Sequence, residues 1–230
     1  MKKLSDLDLS RPLAVATVHS PAGMRLAEKL GAREVDLLEL RADAIAGKLA
    51  EVRRFLARVA LPVLLTVRHP AEGGIGGLSS KRRREIFGEL LPFAALVDVE
   101  LRSVGTLREV IAAAKERGIG LVVSDHHFHK TPTVPEMRER RRRAFAAGAD
   151  VFKLAALTDE AGSVARLIDF ISRSKSRRLA VMGMGKFGQP SRLVLACAGS
   201  ILNYGYLDKP NAPGQWEARE LKTLMNRLCR

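Results

Sequence analysis

The chain has 230 residues, of which 47% are hydrophobic and 28% charged, and its formal net charge is +14. These values predict one globular domain over residues 1–230, and no apolar run approaches the roughly 18 residues that a membrane-spanning helix needs. Cys197 and Cys229 are too few for a disulfide framework and fit a reducing cytoplasm, and the charged start at Met1 lacks the apolar stretch of a signal peptide.

Short apolar runs alternate with longer amphipathic segments along the whole chain. The runs are apolar with almost no alternation, which is typical of strands buried on both faces. The predicted strands are Leu13–Val18, Val35–Leu40, Val63–Val67, Leu96–Glu100, Gly120–Ser124, Val151–Leu154, Leu179–Met182 and Gly199–Tyr204. The predicted helices are Ala22–Leu30, Lys48–Ala60, Ser80–Leu91, Thr106–Arg117, Val134–Ala147, Ala161–Ser172, Gln189–Ala198 and a last helix from Pro213 or Gly214 to Leu228.

Eight strand–helix units of this size predict an α/β fold, a single (β/α)₈ TIM barrel. The alternative is a doubly wound open sheet, which usually carries a glycine-rich phosphate loop after its first strand. Residues 17–23 contain no such loop, so the barrel is favoured.

Two basic runs, residues 81–84 and 138–143, fall within predicted helices. Such runs can indicate nucleic-acid binding, but aromatic residues make up only 5% of the chain and none interleaves with these runs. A solvated outer helix face is the favoured interpretation, and no nucleic-acid partner is expected. The basic surface would instead attract a small anionic substrate.

In a barrel the chemistry lies at the carboxyl ends of the strands, and polar residues gather there. Lys153 is the most informative of them, because a lysine between Phe152 and Leu154 is costly to keep charged without a partner. Burial and neighbouring cations favour a neutral amine, which can attack a carbonyl. A lysine that reaches the barrel rim, or that pairs with a carboxylate, is the structural alternative.

His126 and His127 follow the fifth strand, so their side chains should point to opposite sides, with only one beside Lys153. A histidine there can transfer protons at neutral pH. His126, His127 and His129 also raise the question of zinc. Adjacent histidines diverge and no cysteine is near, so metal binding is not favoured.

Several motifs, in their order and spacing, resemble type I 3-dehydroquinate dehydratase of the shikimate pathway nearly end to end. The matching segments are Glu39-Leu-Arg41-Ala-Asp43, Arg68 with Glu72-Gly73-Gly74, Ser124 to Phe128 with Lys130-Thr131-Pro132, Lys153, Met182 to Gly185, Ser191-Arg192, Gly199-Ser200 and Ala212-Pro213-Gly214-Gln215.

This resemblance implies a lyase that dehydrates 3-dehydroquinate to 3-dehydroshikimate with no cofactor and no metal. Lys153 would form an iminium with the ring ketone, His126 would move the protons, and Glu72 would orient the histidine. Arg192 would bind the substrate carboxylate through its planar guanidinium. The other substrate-binding residues implied are Glu39, Arg41, Arg68, Asn211 and Gln215, the last two on a loop that closes over the ring.

Two positions depart from the family pattern: His127 replaces an aspartate, and Asn211 stands where a serine usually contacts the substrate. These departures leave open reduced activity, an unusual pH optimum or a related substrate. For Arg41, an ion pair with Asp43 or Glu39 stays an alternative. Family members often form homodimers, so a homodimer is an expectation.

Two rival functions remain at this point. Another class I Schiff-base enzyme, such as an aldolase, shares the lysine chemistry but usually binds a phosphate, for which residues 182–188 offer the only candidate loop. A non-catalytic basic barrel that binds nucleic acid would make the combination of Lys153, His126, Glu72 and Arg192 a coincidence.

Overall fold

The computed structural model describes residues 4–174, 178–210, 212 and 214–229, and its core is one sheet of eight parallel strands. From the first strand to the seventh, each strand pairs with the next one in the chain, and the first strand also pairs with the eighth. The strands are β1 Leu13–Val18, β2 Leu37–Arg41, β3 Val63–Thr66, β4 Leu96–Glu100, β5 Gly120–His127, β6 Val151–Leu157, β7 Leu179–Met184 and β8 Leu202–Tyr206.

The remaining gap, between β7 and β8, is bridged at the amino ends of the two strands. The backbone amide of Ile201 donates to the Leu179 carbonyl at 2.9 Å. The Ser200 hydroxyl accepts from the Val181 amide, also at 2.9 Å. These two bonds complete the cylinder, and the predicted (β/α)₈ barrel is confirmed.

A helix follows each strand and covers the outside of the sheet. The helices are α1 Pro21–Ala27, α2 Leu49–Arg58, α3 Ser80–Leu90, α4 Arg108–Glu116, α5 Val134–Ala146, α6 Ala161–Ser172, α7 Gly188–Cys197 and α8 Ala218–Leu228. Several bounds differ from the sequence prediction: the eighth strand and the last helix begin three to five residues later, and β5 and β6 extend three residues further. The two strands extend because β5 pairs with β6 as far as His127, and β6 pairs with β7 as far as Leu157.

Side chains along each strand point alternately out of the barrel and into it. The outward set, including Leu38 and Val97, packs against the helices in one large apolar layer. The inward set starts at the amino ends with residues such as Leu37 and Leu96, which form an apolar floor closed from below by leucines of residues 4–9. Two residues further along the same strands, the inward positions become polar.

One arginine of the first basic run is not on a solvated face. Arg83 on α3 is fully buried. Its Nε donates to the Val67 carbonyl at 2.8 Å, and its Nη2 lies 2.5 Å from Glu100 Oε2. The expectation of a solvated helix face is therefore wrong at Arg83, because its position on α3 points inward at a carboxylate on β4.

The two cysteines are joined in a disulfide between the end of α7 and the end of α8. The sequence did not predict this single bridge, which forms because α7 and α8 pack side by side and bring Cys197 and Cys229 together. No helix in the described part of the chain has the length and apolar character that a membrane crossing would require.

The disulfide predicts a redox-dependent stability. It closes a loop of 32 residues, so the free energy of unfolding of the oxidised protein should exceed that of the reduced protein by about 2–4 kcal/mol. Denaturant unfolding with and without dithiothreitol measures this difference. In the Cys197→Ala/Cys229→Ala variant the reductant should have no effect, and an equal effect there would contradict the prediction.

Candidate active site

A cavity opens at the carboxyl end of the barrel, above the apolar floor. Much of its polar lining comes from the inward positions of β2, β5 and β6 and from the segment after β3. These side chains are Glu39, His126, Lys153, Arg68 and Glu72. The strand alternation thus brings to one space most of the residues that the sequence motifs singled out.

Lys153 lies on β6 with only 3% of its surface exposed. Its Nζ is 3.0 Å from Asp98 Oδ2 and 3.2 Å from Glu39 Oε1. The ammonium also lies 3.9 Å from the ring centroid of Tyr204, a cation–π distance. Lys153 is therefore paired with carboxylates, as a purely structural lysine would be, and its amine also faces the cavity.

Asp98 was not among the predicted site residues, although the sequence showed it at the end of the fourth strand. It is fully buried on β4 and accepts from Arg68, Lys153 and the Ser124 hydroxyl. Burial alone would raise the pKa of Asp98, but Arg68 and Lys153 hold that pKa far below its usual range. Asp98 is therefore ionised and compensates the charge of the lysine.

Arg68 is held from two sides by carboxylates. Its Nη2 donates to Asp98 Oδ2 at 2.9 Å, and its Nη1 lies 3.1 Å from Glu100 Oε1. Glu100 is paired in turn with Arg83. Most of the donor capacity of Arg68 is used inside the protein, so its guanidinium is fixed in place beside the cavity.

His126 and Glu72 form a direct pair, with His126 Nδ1 at 2.9 Å from Glu72 Oε2. Burial raises the pKa of Glu72 to about 8. Burial, together with the cations Arg68 and Lys153, lowers the pKa of His126 well below its usual range. The imidazole is therefore neutral at neutral pH, and its Nε2 is the ring nitrogen left for a ligand.

His127 does not line the cavity. Its Nε2 lies 2.8 Å from Asp125 Oδ2, and the same oxygen is 3.1 Å from Arg140 Nη1 on α5. This departure from the family pattern therefore sits between β5 and α5.

Among the residues that the structure describes, no group of histidine, cysteine, aspartate and glutamate side chains is arranged to hold a metal ion.

Arg41 has the ion pair that the sequence left open, with Asp43. Its Nε and Nη2 donate to the two carboxylate oxygens at 3.0 and 2.8 Å, and Nη2 also donates to the Gly73 carbonyl at 2.9 Å. Asp43 additionally accepts from the backbone amides of Arg68 and Ile75. Arg41 and Asp43 thus fix the loop that carries Glu72.

At position 74 in that loop only glycine fits, because the backbone of Arg68 leaves no room for a side chain. A Cβ on Gly74 would lie 2.3 Å from the carbonyl oxygen of Arg68, which is backbone and cannot yield. The tight turn keeps the loop folded back on itself, so that Glu72 reaches His126.

Arg192 reaches the cavity from α7, and only 2% of its surface is exposed. Its Nη1 donates to the Tyr204 carbonyl at 3.1 Å. Gln215, in the segment after β8, also lines the cavity, and its Oε1 accepts from the Ala212 amide at 3.2 Å. Asn211 lies outside the described residues.

The rest of the wall is largely apolar and was not predicted. Met182 and Met184 on β7, Tyr204 on β8 and Phe128 after β5 line the cavity. Phe128 stacks on His126 with ring centroids 6.3 Å apart. The strand pattern placed these residues at or near strand ends. The sequence could not show whether such apolar and aromatic side chains line a cavity or pack in the hydrophobic core.

The comparisons with known proteins agree with this geometry. The family model for type I 3-dehydroquinase matches residues 14–228. A 3-dehydroquinate dehydratase of Methanosarcina barkeri is 31% identical over 241 residues, covering 99% of this chain and 100% of the relative. The 3-dehydroquinate dehydratase of Aquifex aeolicus is 35% identical over 207 residues, with 88% and 92% covered.

The solved structures include a type I 3-dehydroquinate dehydratase from Clostridium difficile, solved with covalently modified comenic acid. It superposes with a TM-score of 0.88 at 26% identity, covering 99% of this chain and 97% of that chain. The chain belongs to the type I 3-dehydroquinase family, and it is a lyase that dehydrates 3-dehydroquinate through a Schiff base.

Proposed function

We propose that Lys153 is the amine that forms the Schiff base with the substrate ketone. The observation that carries this proposal is the position of its Nζ, inside the cavity and between the carboxylates of Asp98 and Glu39. The iminium formed by the lysine is a cation, as the ammonium is. The same two carboxylates therefore compensate the charge before and after the bond forms, and the intermediate requires no new counter-ion.

The pair of His126 and Glu72 supplies the proton transfers. Glu72, with its pKa near 8, holds a proton at neutral pH and shares it with Nδ1, so Nε2 of the neutral ring also carries a hydrogen. The ammonium of Lys153 first releases one proton to solvent, and the free amine adds to the ketone to give a carbinolamine. Nε2 gives its hydrogen to the carbinolamine hydroxyl, which leaves as water when the iminium forms, and Nδ1 takes up the proton of Glu72. The ring nitrogen is then a base that removes the proton next to the iminium carbon, and it returns this proton to the departing hydroxyl.

The iminium draws the electron pair of the broken carbon–hydrogen bond, and departure of the protonated hydroxyl as water then forms the carbon–carbon double bond. Water adds to the product iminium and gives one proton to Nε2. The carbinolamine then collapses to the ketone and the free amine of Lys153, which takes up a proton from solvent. The pair of His126 and Glu72 starts and ends with the same number of protons. This route needs no bound cofactor, because the iminium is itself the electron sink.

Arg192 is assigned to the substrate carboxylate, because it is a buried cation at the cavity wall. Glu39 is close enough to Lys153 to meet the ring hydroxyls as well. Arg41 and Arg68 act mainly by holding the loop of Glu72 and the carboxylate of Asp98. Gln215 and Asn211 are assigned to the closing segment after β8.

Two further assignments rest on the family alone. The place of the enzyme in biosynthesis of the shikimate pathway favours the cytoplasm, and the resemblance favours a homodimer. The disulfide between Cys197 and Cys229 argues against a permanently reducing compartment. Both assignments stay predictions.

Borohydride trapping tests the role of Lys153. Incubation with 3-dehydroquinate and borohydride should add the mass of one reduced substrate to the intact protein, and peptide mapping should place it on Lys153. Lys153→Ala should form no adduct. Lys222→Met is the matched control, because Lys222 is a buried lysine on α8 that binds Asp36 away from the cavity. An adduct that survives in Lys153→Ala would refute the assignment.

Replacement of the two neighbouring histidines tests which one transfers protons. His126→Ala should lower kcat by about 10²- to 10⁴-fold, the usual contribution of a positioned acid or base. His127→Ala should lower kcat less than tenfold, because its side chain contacts Asp125 on the outer side of the sheet. A larger loss in His127→Ala would show that the assignment is reversed.

The pKa of Glu72 predicts a change of tautomer at His126 that ¹⁵N NMR can detect. Below pH about 8 the carboxyl keeps its proton, so the neutral ring should carry its hydrogen on Nε2. Above that pH the ionised carboxylate accepts from Nδ1, so the hydrogen should move to Nδ1. Glu72→Gln should abolish the switch. A ring that is half protonated at pH 6.5, as an ordinary histidine is, would contradict the lowered pKa of His126.

A further inference from the structure

The cavity wall contains two buried polar atoms that nothing in the described protein satisfies. They are Arg192 Nε and the Tyr204 hydroxyl oxygen. A buried donor without a partner costs about 1–3 kcal/mol, and native proteins rarely leave one in place. Two such atoms on residues that line one cavity indicate a ligand group that would accept from both.

Arg192 differs from the other buried arginines of the described chain. Arg41 is paired with Asp43, Arg68 with Asp98, and Arg83 with Glu100, whereas no described carboxylate lies within ion-pair distance of Arg192. Burial without a counter-ion lowers the pKa of Arg192 to about 10, so it is still a cation at neutral pH. An anion is therefore the missing partner.

Tyr204 is placed to contact that anion as well. It lies on β8 opposite Val15, on the inward side of the barrel, with 3% of its surface exposed. The bond from Arg192 Nη1 to its backbone carbonyl makes the two residues neighbours. Its ring lies against the ammonium of Lys153. The residue therefore spans the distance between the amine and the arginine.

The hydroxyl of Tyr204 can serve only as a neutral group there. Burial, with the nearby carboxylates of Glu39 and Asp98, raises its pKa well above the ordinary value of 10. The oxygen thus keeps its hydrogen at neutral pH, and it can donate that hydrogen to an acceptor.

We propose that the Tyr204 hydroxyl is a second donor to the carboxylate of the substrate, beside Arg192. The inference rests on the proposed binding of the carboxylate by Arg192 and extends it to a residue that the sequence motifs did not single out. A hydroxyl and a guanidinium that meet one carboxylate fix the orientation of the ring as well as its charge. The ring of Tyr204 touches Lys153. A hydrogen bond from its hydroxyl to the substrate carboxylate would therefore also position the substrate ketone relative to the lysine.

Tyr204→Phe isolates the hydroxyl, because phenylalanine keeps the ring that packs against Lys153. KM for 3-dehydroquinate should rise about tenfold or more, while kcat changes less than twofold. Tyr206→Phe is the matched control. It alters the only other tyrosine of the chain, two residues along β8 and outside the cavity lining, and should leave KM unchanged.

A binding experiment separates this inference from the proposed function. Quinate has the ring carboxylate but no ketone, so calorimetry reports its Kd without any Schiff base. The Kd for quinate should rise about tenfold or more in Tyr204→Phe, whereas neutral quinamide should bind both proteins with Kd values within twofold. The carboxylate would then be identified as the acceptor.

The outcomes distinguish the two claims. If wild type turns over 3-dehydroquinate and forms the Lys153 adduct, but Tyr204→Phe has unchanged KM and unchanged Kd for quinate, only the role of Tyr204 is refuted. If the variant weakens quinate and quinamide equally, the hydroxyl does not contact the carboxylate and the inference is also refuted. If wild type gives no turnover, the proposed function fails, and the binding of quinate still decides the role of Tyr204.

Discussion

A buried row of ion-paired side chains, alternating in charge, runs through the barrel interior, and the site depends on this row. Three cations and three carboxylates alternate along ion pairs from α3 to the cavity: Arg83, Glu100, Arg68, Asp98, Lys153 and Glu39. The set has no net charge, which is what permits so many ionised groups away from water. Removal of one member would leave a buried charge unpaired, at a cost of about 3–5 kcal/mol. The row of ion pairs therefore holds Lys153 in a single position.

The same interaction explains how a lysine with carboxylate partners can be a nucleophile. A structural ion pair and a catalytic amine are usually opposed interpretations, and at Lys153 the geometry joins them. Under the proposed function, the charge of the iminium would replace the charge of the ammonium between Asp98 and Glu39. Arg192, also at the cavity wall, is a buried cation with no described carboxylate in ion-pair distance. The charges would thus be balanced at the proposed covalent bond and unbalanced at the proposed site of the substrate carboxylate.

The departure at His127 lies outside this arrangement. Where the family has an aspartate, this chain has a histidine that contacts Asp125, which is also paired with Arg140 on α5. Because β5 is extended as far as this residue, His126 and His127 face opposite sides of the sheet. The histidine therefore belongs to the contact between β5 and α5, and the pair of His126 and Glu72 has its own separate contact.

The sequence by itself determined the barrel and the family, and it singled out a lysine, a histidine and a glutamate near strand ends that the structure places in one cavity. Those features are local: they lie in the spacing of apolar residues and in motifs a few residues long. Only the tertiary structure decided the partners, because these come from distant parts of the chain. Lys153 and Glu39 are 114 residues apart. No local pattern marks that pair, the burial of Arg83, the disulfide of Cys197 or the unsatisfied hydroxyl of Tyr204, since each depends on which elements the closed barrel brings together.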